Sequence, residues 1–331
     1  MAKPGKVFLV GAGPGDEELL TLKAARVIEN AEVVVYDRLV SPAILAKLPA
    51  TAVKINVGKN VGNHPVPQEQ INQILLEQAL AGKSVVRLKG GDSFLFGRGG
   101  EELEVLAEHN IEFEVVPGIT SALAAAAYAG IPVTHRDFCS SLHIITGHRQ
   151  RNGELNIDYP SLVKLGGTLI FMMSVANIGE IAAGLIAGGM DKDMPCAVVE
   201  NGTLSSQRKF VATVADIAEV VRRNEVQSPA LIVVGKVCSL ADKLDWFSKL
   251  PLKGTKILVT RPQATAGRLA ARLKELGADV EQLPTIRTRE IEGPLPELAG
   301  YSSIVFTSAV GVHTFFAKLA AAGKDARALA G

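Results

Sequence analysis

Charge of one sign is what this sequence most lacks. Lys and Arg number 35 against 34 Asp and Glu, a formal net charge of +1, so no global field draws the chain onto nucleic acid. An anionic ligand must be met by a local cluster of bases. Aromatic residues are scarce, with 1 Trp, 4 Tyr and 11 Phe, which leaves few stacking platforms for single strands. The 3 cysteines, Cys139, Cys196 and Cys238, are far apart and form no CxxC pair. That spacing fits reduced core thiols of a cytoplasmic protein better than a disulfide framework or a zinc site. Long hydrophobic runs are also missing. The stretch from Ala122 to Val133 falls short of the ~18 residues of a membrane helix, and Gly and Asp interrupt the first apolar run before it reads as a secretory signal.

What is present is a rhythm. The 331 residues allow about two domains, or one large one with an appendage. Lys6–Val10, Glu32–Tyr36, Val53–Val57, Ser84–Leu88 and Phe113–Val116 read as buried strands. Between them lie amphipathic segments at Leu22–Asn30, Gln68–Ala81 and Glu101–Asn110. This alternation predicts an α/β unit with a mainly parallel sheet. Pro117-Gly118 reads as a hinge. A second set of strands follows at Leu142–Thr146, Thr168–Met172, Ala197–Glu200, Arg208–Ala212 and Ala230–Val234. Leu250 to Gly254 resembles a linker, after which the rhythm restarts with a strand at Lys256–Thr260, a helix at Ala266–Leu276 and a strand at Val280–Leu283. Ile304–Thr307 and a helix near Val310–Ala322 complete the pattern.

The loop Gly11-Ala12-Gly13-Pro14-Gly15-Asp16 after the first strand invites a dinucleotide reading, with Asp37 as the ribose carboxylate. The fingerprint G-x-G-x-x-G puts its third glycine at position 16, which is Asp here. A carboxylate and a proline at that turn add negative charge and remove a donor, so they suit a pyrophosphate poorly. The run from Val86 to Glu102 sets five glycines between strand and helix, which lets a ligand approach the backbone. In the run Val116 to Ala122, Thr120 or Ser121 is placed to cap the Ala-rich helix that follows.

Taken together, the runs VGAGPGD, YDRLV, VGK, VRLKGGDSFLFGRGGEE, VPGITSA, GIPVTHR, ENGT and SPALIVVGKV resemble the uroporphyrinogen-III C-methyltransferases of the tetrapyrrole methylase family. The likeness is colinear and spans roughly Lys3 to Phe247. It implies two α/β lobes, residues 1–118 and 119–247, with S-adenosylmethionine in the cleft between them and no metal. By the resemblance, Pro14, Gly90, Gly91, Asp92, Leu95, Thr120, Ser121, Met173 and Gly202 line the cofactor site, Asp92 attracting the positive end of the cofactor. Asp37 and Lys59 match the acid–base positions, although Asp37 also has Arg38 beside it as a salt-bridge partner. The family has Gly after Met173; Ser174 is expected to narrow the groove there.

The implied substrate, uroporphyrinogen III, carries eight carboxylates and calls for a locally basic site. Arg38, Arg98, His135 and Arg136 are the candidate substrate-binding bases, with Lys59, Arg87, Lys89, His148 and Arg149 in or beside the same motifs. The implied product is precorrin-2, for sirohaem or cobalamin, made by a cytoplasmic homodimer that needs neither nucleic acid nor membrane. Residues 248–254 then serve as a linker. Residues 255–331 resemble the start of uroporphyrinogen-III synthase, a family that needs more chain than these residues supply, so no synthase activity is expected of them. Competing readings are a later corrin-ring or RNA methyltransferase of the same superfamily, a nicotinamide-dependent oxidoreductase, and a non-catalytic tetrapyrrole carrier.

Overall fold

Short β-branched runs alternating with amphipathic stretches build the first sheet. The structure, a computed structural model, describes residues 3–58, 66–147, 155–261, 263–287 and 289–329. The first elements are β1 (Val7–Gly11), α1 (Leu22–Glu29), β2 (Val33–Tyr36), α2 (Pro42–Leu45), β3 (Val53–Asn56), α3 (Gln68–Leu80), β4 (Val85–Lys89), α4 (Gly99–Glu108) and β5 (Phe113–Val116). The sheet runs β3-β2-β4-β1-β5 with every pair parallel, as the alternation predicts. Its side chains divide by the period of two. Val33 and Val35 share one core with Ile71 and Leu75 of α3 and Leu106 of α4. Val34 shares the other with Ala24 and Ile28 of α1 and Ile44 of α2. Helices on both faces explain why β2 is an unbroken valine run rather than an alternating one.

The chain then passes through Pro117-Gly118 into α5 (Ser121–Tyr128). Next come β6 (Leu142–Thr146), α6 (Tyr159–Leu165), β7 (Thr168–Met172), α7 (Ile178–Ala187), β8 (Pro195–Glu200), β9 (Arg208–Thr213), α8 (Ile217–Arg223) and β10 (Ala230–Val234). The second sheet runs β6-β7-β10-β8-β9, and only β6 and β7 are parallel. It is mixed because β8 returns to β9 through residues 201–207, too short a connection for a parallel crossover. Leu169, Phe171, Val198 and Ile232 pack with α7 and α8 on one face. Ile170, Ala197, Val199 and Val233 pack with the alanines of α5 on the other, so α5 belongs with the second sheet. Cys196 and Cys238 are buried in these cores, where burial, with Asp216 nearby, pushes the Cys196 thiol up to about 12.

Beyond a short 3-10 turn at Lys236–Leu240 come β11 (Lys256–Val259), α9 (Gln263–Glu275), β12 (Asp279–Gln282) and α10 (Ala309–Ala321). The chain divides into two compact units, Met1–Ile257 with Leu273–Asp279, and Leu258–Arg272 with Val280–Gly331. In the second unit the strand expected at Ile304–Thr307 does not form. Among the described residues the small sheet holds β11 and β12 alone, so this stretch has no strand partner, and Val305 is 83% exposed. Among the described residues no helix is long and apolar enough to cross a membrane.

Within the first unit, Glu17 accepts from Lys47 at 2.8 Å and from Lys274. Burial raises its carboxyl pKa, but the two ammonium groups outweigh it and hold the group below the ordinary glutamate value. A depressed folded-state value means the pairing stabilises above the ordinary value and is lost as pH falls through the depressed one. Glu17→Gln is therefore expected to lower the urea midpoint at neutral pH, with the gap to the parent closing as acid is added. A gap that is constant with pH contradicts this.

Candidate functional site

Four parallel strands of the first sheet end on one edge, and each runs straight into a motif. Gly11 stands opposite Lys89, Tyr36 opposite Leu88, and Val10 opposite Val116. From these ends emerge residues 11–16, Asp37 and Arg38, residues 90–98, and residues 117–121. Open parallel sheets place ligands at this edge. A concavity lined by Glu29, Glu32, Thr51 and Lys83 lies at the opposite, N-terminal ends of β2 and β3, away from every motif.

Three of the turns touch through their backbones. Ala12 N donates to Lys89 O at 2.7 Å, and Gly13 and Gly91 exchange bonds of 3.1 and 2.7 Å. A Cβ on Gly118 would lie 2.2 Å from Gly91 O and 2.7 Å from Gly11 Cα. These glycines thus first admit one another; the ligand approaches turns already locked together. Asp92 pins the arrangement. Its Oδ1 accepts from Phe94 N at 2.9 Å and Leu95 N at 3.2 Å, and its Oδ2 accepts from Gly118 N at 3.1 Å. A carboxylate offers about four acceptor positions, so one stays open for a cation. Thr120 is the helix cap, its Oγ1 accepting from Ala122 N at 3.3 Å. Leu95, in the turn after β4, and Ser121, next to Thr120, are half-buried.

The second lobe adds Met173 after β7 and Gly202 after β8. Met173 is 48% exposed with φ 54°, so it does not fill core. The expected narrowing by Ser174 is absent. That side chain is fully buried and donates to Phe171 O at 3.1 Å, crowding Gly147 instead. Gly202 lies against α5, where a Cβ would sit 2.2 Å from Ala125 Cβ.

Asp16, which broke the dinucleotide fingerprint, ties the two lobes. Its N donates to Thr203 Oγ1 at 3.1 Å, its Oδ2 accepts from Tyr128 OH at 2.9 Å, and its Oδ1 accepts from Glu18 N. Burial, and then the Asp16 charge, raise the Tyr128 phenol, which keeps it a donor. A 3-10 turn at Glu17–Leu19 follows, and α1 begins only at Leu22. No helix N-terminus follows the glycine loop as a pyrophosphate requires.

Asp37 is partly exposed. Its Oδ1 accepts from Leu39 N at 3.1 Å, and its Oδ2 lies 3.9 Å from Arg87, not paired with Arg38. Arg87 and Lys89 do not line a substrate surface as expected. They are 2% and 5% exposed and converge on Glu102, which is fully buried, at 3.2 and 2.7 Å. Gln68 Nε2 donates to the same carboxylate at 3.0 Å. Burial, and then Arg87, pull the Lys89 ammonium below its ordinary value while Glu102 opposes. Two buried cations thus face one buried anion, with Asp37 the next carboxylate.

Arg38 is exposed, and Arg98, at φ 58° before α4, donates to Glu101 Oε1 at 3.1 Å. His135 and Arg136 sit on the turn leading from α5 to β6, with His135 stacked on Phe138 at 4.6 Å and Arg136 exposed. Their contacts are local. Lys59, His148 and Arg149 lie outside the described residues; Gly58 has its backbone against Arg38 N, 2.8 Å from where a Cβ would stand. Sequence reasoning missed Glu102, Thr203 and Gln207. A carboxylate in the helix turn after two strand bases was the available signal for Glu102.

The donor set fits S-adenosylmethionine: backbone at glycine turns, one carboxylate, hydroxyls and an exposed thioether, a set for a zwitterionic nucleoside rather than a polyphosphate. Among the described residues no group of three or more His, Cys, Asp or Glu is placed to hold a metal. Comparison with known proteins agrees with the fold. Residues 6–218 match the family of Tetrapyrrole (Corrin/Porphyrin) Methylases, and residues 267–331 match Uroporphyrinogen-III synthase HemD. The chain belongs to the tetrapyrrole methylase family. It is 53% identical over 332 residues to the porphyrin biosynthesis protein HemD of Ruminiclostridium josui, covering 98% of this chain and 66% of that protein's length. It is 54% identical over 241 residues to an S-adenosyl-L-methionine-dependent uroporphyrinogen III methyltransferase of Methanosarcina barkeri, covering 72% of this chain and 94% of that one. A solved uroporphyrin-III C-methyltransferase of Thermus thermophilus, complexed with S-adenosyl homocysteine, superposes with TM-score 0.62 at 41% identity, over 71% of this chain and 99% of that one.

Two variants test the packing described. Gly118→Ala is expected to destabilise by at least about 2 kcal/mol in urea unfolding, since backbone must move; an unchanged midpoint contradicts the close approach. Glu102→Ala leaves Arg87 and Lys89 buried without their shared anion and is expected to cost about 3–5 kcal/mol; a loss below about 1 kcal/mol contradicts the pairing.

Proposed function

We propose that this chain is an S-adenosylmethionine-dependent C-methyltransferase that methylates two ring carbons of uroporphyrinogen III in turn, giving precorrin-2 for sirohaem and cobalamin. One observation carries the reading: the glycine turns, Asp92, Thr120 and a strand-end carboxylate, Asp37, share one edge of a parallel sheet in a tetrapyrrole methylase fold. The printed name of the Methanosarcina relative gives the same donor and acceptor.

In this reading Pro14, Gly90, Gly91, Asp92 and Leu95 hold the cofactor from the strand-end turns of the first lobe, and Thr120 and Ser121 at the start of α5, with Met173 and Gly202, hold it from the second. When bound, S-adenosylmethionine supplies an electrophilic methyl on a cationic sulfur. The protein's own task is alignment and charge placement. Asp37 takes the proton that the macrocycle releases after a ring carbon gains the methyl, and Lys59 exchanges protons with bulk water or substrate. Arg87, held by Glu102, faces the Asp37 carboxylate from beneath. Arg38, Arg98, His135 and Arg136 pair with the acetate and propionate arms, for which the guanidinium fork is suited. We extend the reading to a cytoplasmic homodimer, on the family resemblance.

The test is to incubate the chain with S-adenosylmethionine and uroporphyrinogen III and follow precorrin-2 by absorbance. Asp37→Asn is expected to lower turnover by about 10²–10⁴-fold, the range for a lost acid–base group, while S-adenosylhomocysteine binding is kept. Turnover retained in Asp37→Asn removes Asp37 as the base; no precorrin-2 from the parent chain removes the function.

A further inference from the structure

Residues 201–207 close the β8–β9 hairpin and carry Gly202. Two of them that are not glycine have left-handed φ, Asn201 at 50° and Thr203 at 72°. For a β-branched residue such a φ is strained, and it persists only where the surroundings over-determine it. Part of that determination comes from the two lobes. Thr203 Oγ1 accepts from Asp16 N, and Thr203 N donates to Gln207 Oε1 at 2.8 Å. Gln207 Nε2 in turn donates to Tyr128 O at 3.1 Å.

The other part comes from further along the chain. Lys253 Nζ donates to Ser205 O and, at 2.9 Å, to Gln207 O. Ser205 Oγ accepts from Gly254 N at 3.0 Å and donates to Gly277 O at 2.7 Å. Leu252 N donates to Leu276 O at 2.9 Å, joining the linker to the turn that ends α9, and both belong to the first unit. The Lys253 stem crosses the Phe247 ring, with Nζ 5.1 Å from its centroid. Burial pulls this ammonium below its ordinary value, against Asp245. It has given up water and received two carbonyls of the hairpin loop in exchange.

We infer that residues 252–254 and the turn at 276–277 brace the cofactor side of the cleft, and that Lys253 is a positioning residue that acts through Ser205 and Gln207 on Gly202 and Thr203. The inference rests on the reading that Gly202 contacts the cofactor. It gives the linker, and the turn after α9 of the synthase-like segment, a part in the methyltransferase: together they hold a strained loop of the preceding enzyme. Lys253 touches neither ligand. Its loss therefore acts on affinity for the cofactor, not on the chemical step or on the macrocycle.

The experiment uses the full chain. Lys253→Met keeps the stem on Phe247 and removes the ammonium. It is expected to weaken S-adenosylhomocysteine binding about tenfold by calorimetry, the scale of one charge-assisted hydrogen bond. KM for S-adenosylmethionine rises in step, while kcat and KM for uroporphyrinogen III stay within about twofold, a split that a general loss of fold does not produce. Lys253→Arg, which keeps the charge and the donors, restores most of the affinity. The brace is overturned if Lys253→Met binds S-adenosylhomocysteine as the parent does, if both KM values rise together, or if Lys253→Arg is no better than Lys253→Met. A parent chain that binds no S-adenosylhomocysteine removes the cofactor reading instead, and the inference with it.

Discussion

Where Gly11 and Gly118 pack on each other and on the Gly91 carbonyl, neither has room for a Cβ, and the turns after β1, β4 and β5 are held in register by that contact. Asp92 then closes the arrangement by accepting from three backbone N–H groups, one of them on the turn after β5. A flexible glycine loop has many conformations to lose. Three such loops locked against one another have already lost them before a ligand arrives, so binding orders less of the protein. The same contact fixes Thr120 at the start of α5 and so carries the edge of the first sheet into the second lobe. Asp16 completes the join from the other side through Thr203 and Tyr128.

Charge follows a similar economy. In the proposed function an almost neutral chain meets a substrate with eight carboxylates, and the bases in its motifs are divided between a buried and an exposed set. Arg87 and Lys89 are buried against Glu102 and shape the ground beneath Asp37. Arg38 and Arg98 remain at the surface, where the proposed function has them meet anionic arms. A buried pair with one shared anion is expensive to assemble in low dielectric, and it tolerates the loss of no member.

Much of this was legible in the sequence because the relevant physics is local. The valine run of β2 announces a strand buried on both faces, and the Pro117-Gly118 break marks the passage between sheets. The failure of the dinucleotide fingerprint at Asp16 was also informative, and the structure shows why: the carboxylate is a tie between lobes. What the sequence hid depends on distance. Nothing in the run VRLKGGD says that its bases point into the protein toward a helix residue thirteen or more positions later. The mixed pairing of the second sheet follows from a seven-residue hairpin loop whose strained Thr203 has no local signature. The stretch at Ile304–Thr307 has strand composition but, among the described residues, no strand to pair with, which composition cannot report. Lys59 and the bases His148 and Arg149 lie outside the described residues.

In the proposed function one cleft, built from the strand-end turns of the first sheet and the loops after β7 and β8, receives the methyl donor. A crystal structure of the chain with S-adenosylhomocysteine tests it most directly. The ligand is expected against Gly90–Asp92 and Thr120–Ser121 on one side and Met173 and Gly202 on the other. Ligand density at the concavity lined by Glu29, Glu32 and Lys83, or anywhere that leaves Gly91 and Gly202 without contact, would contradict it.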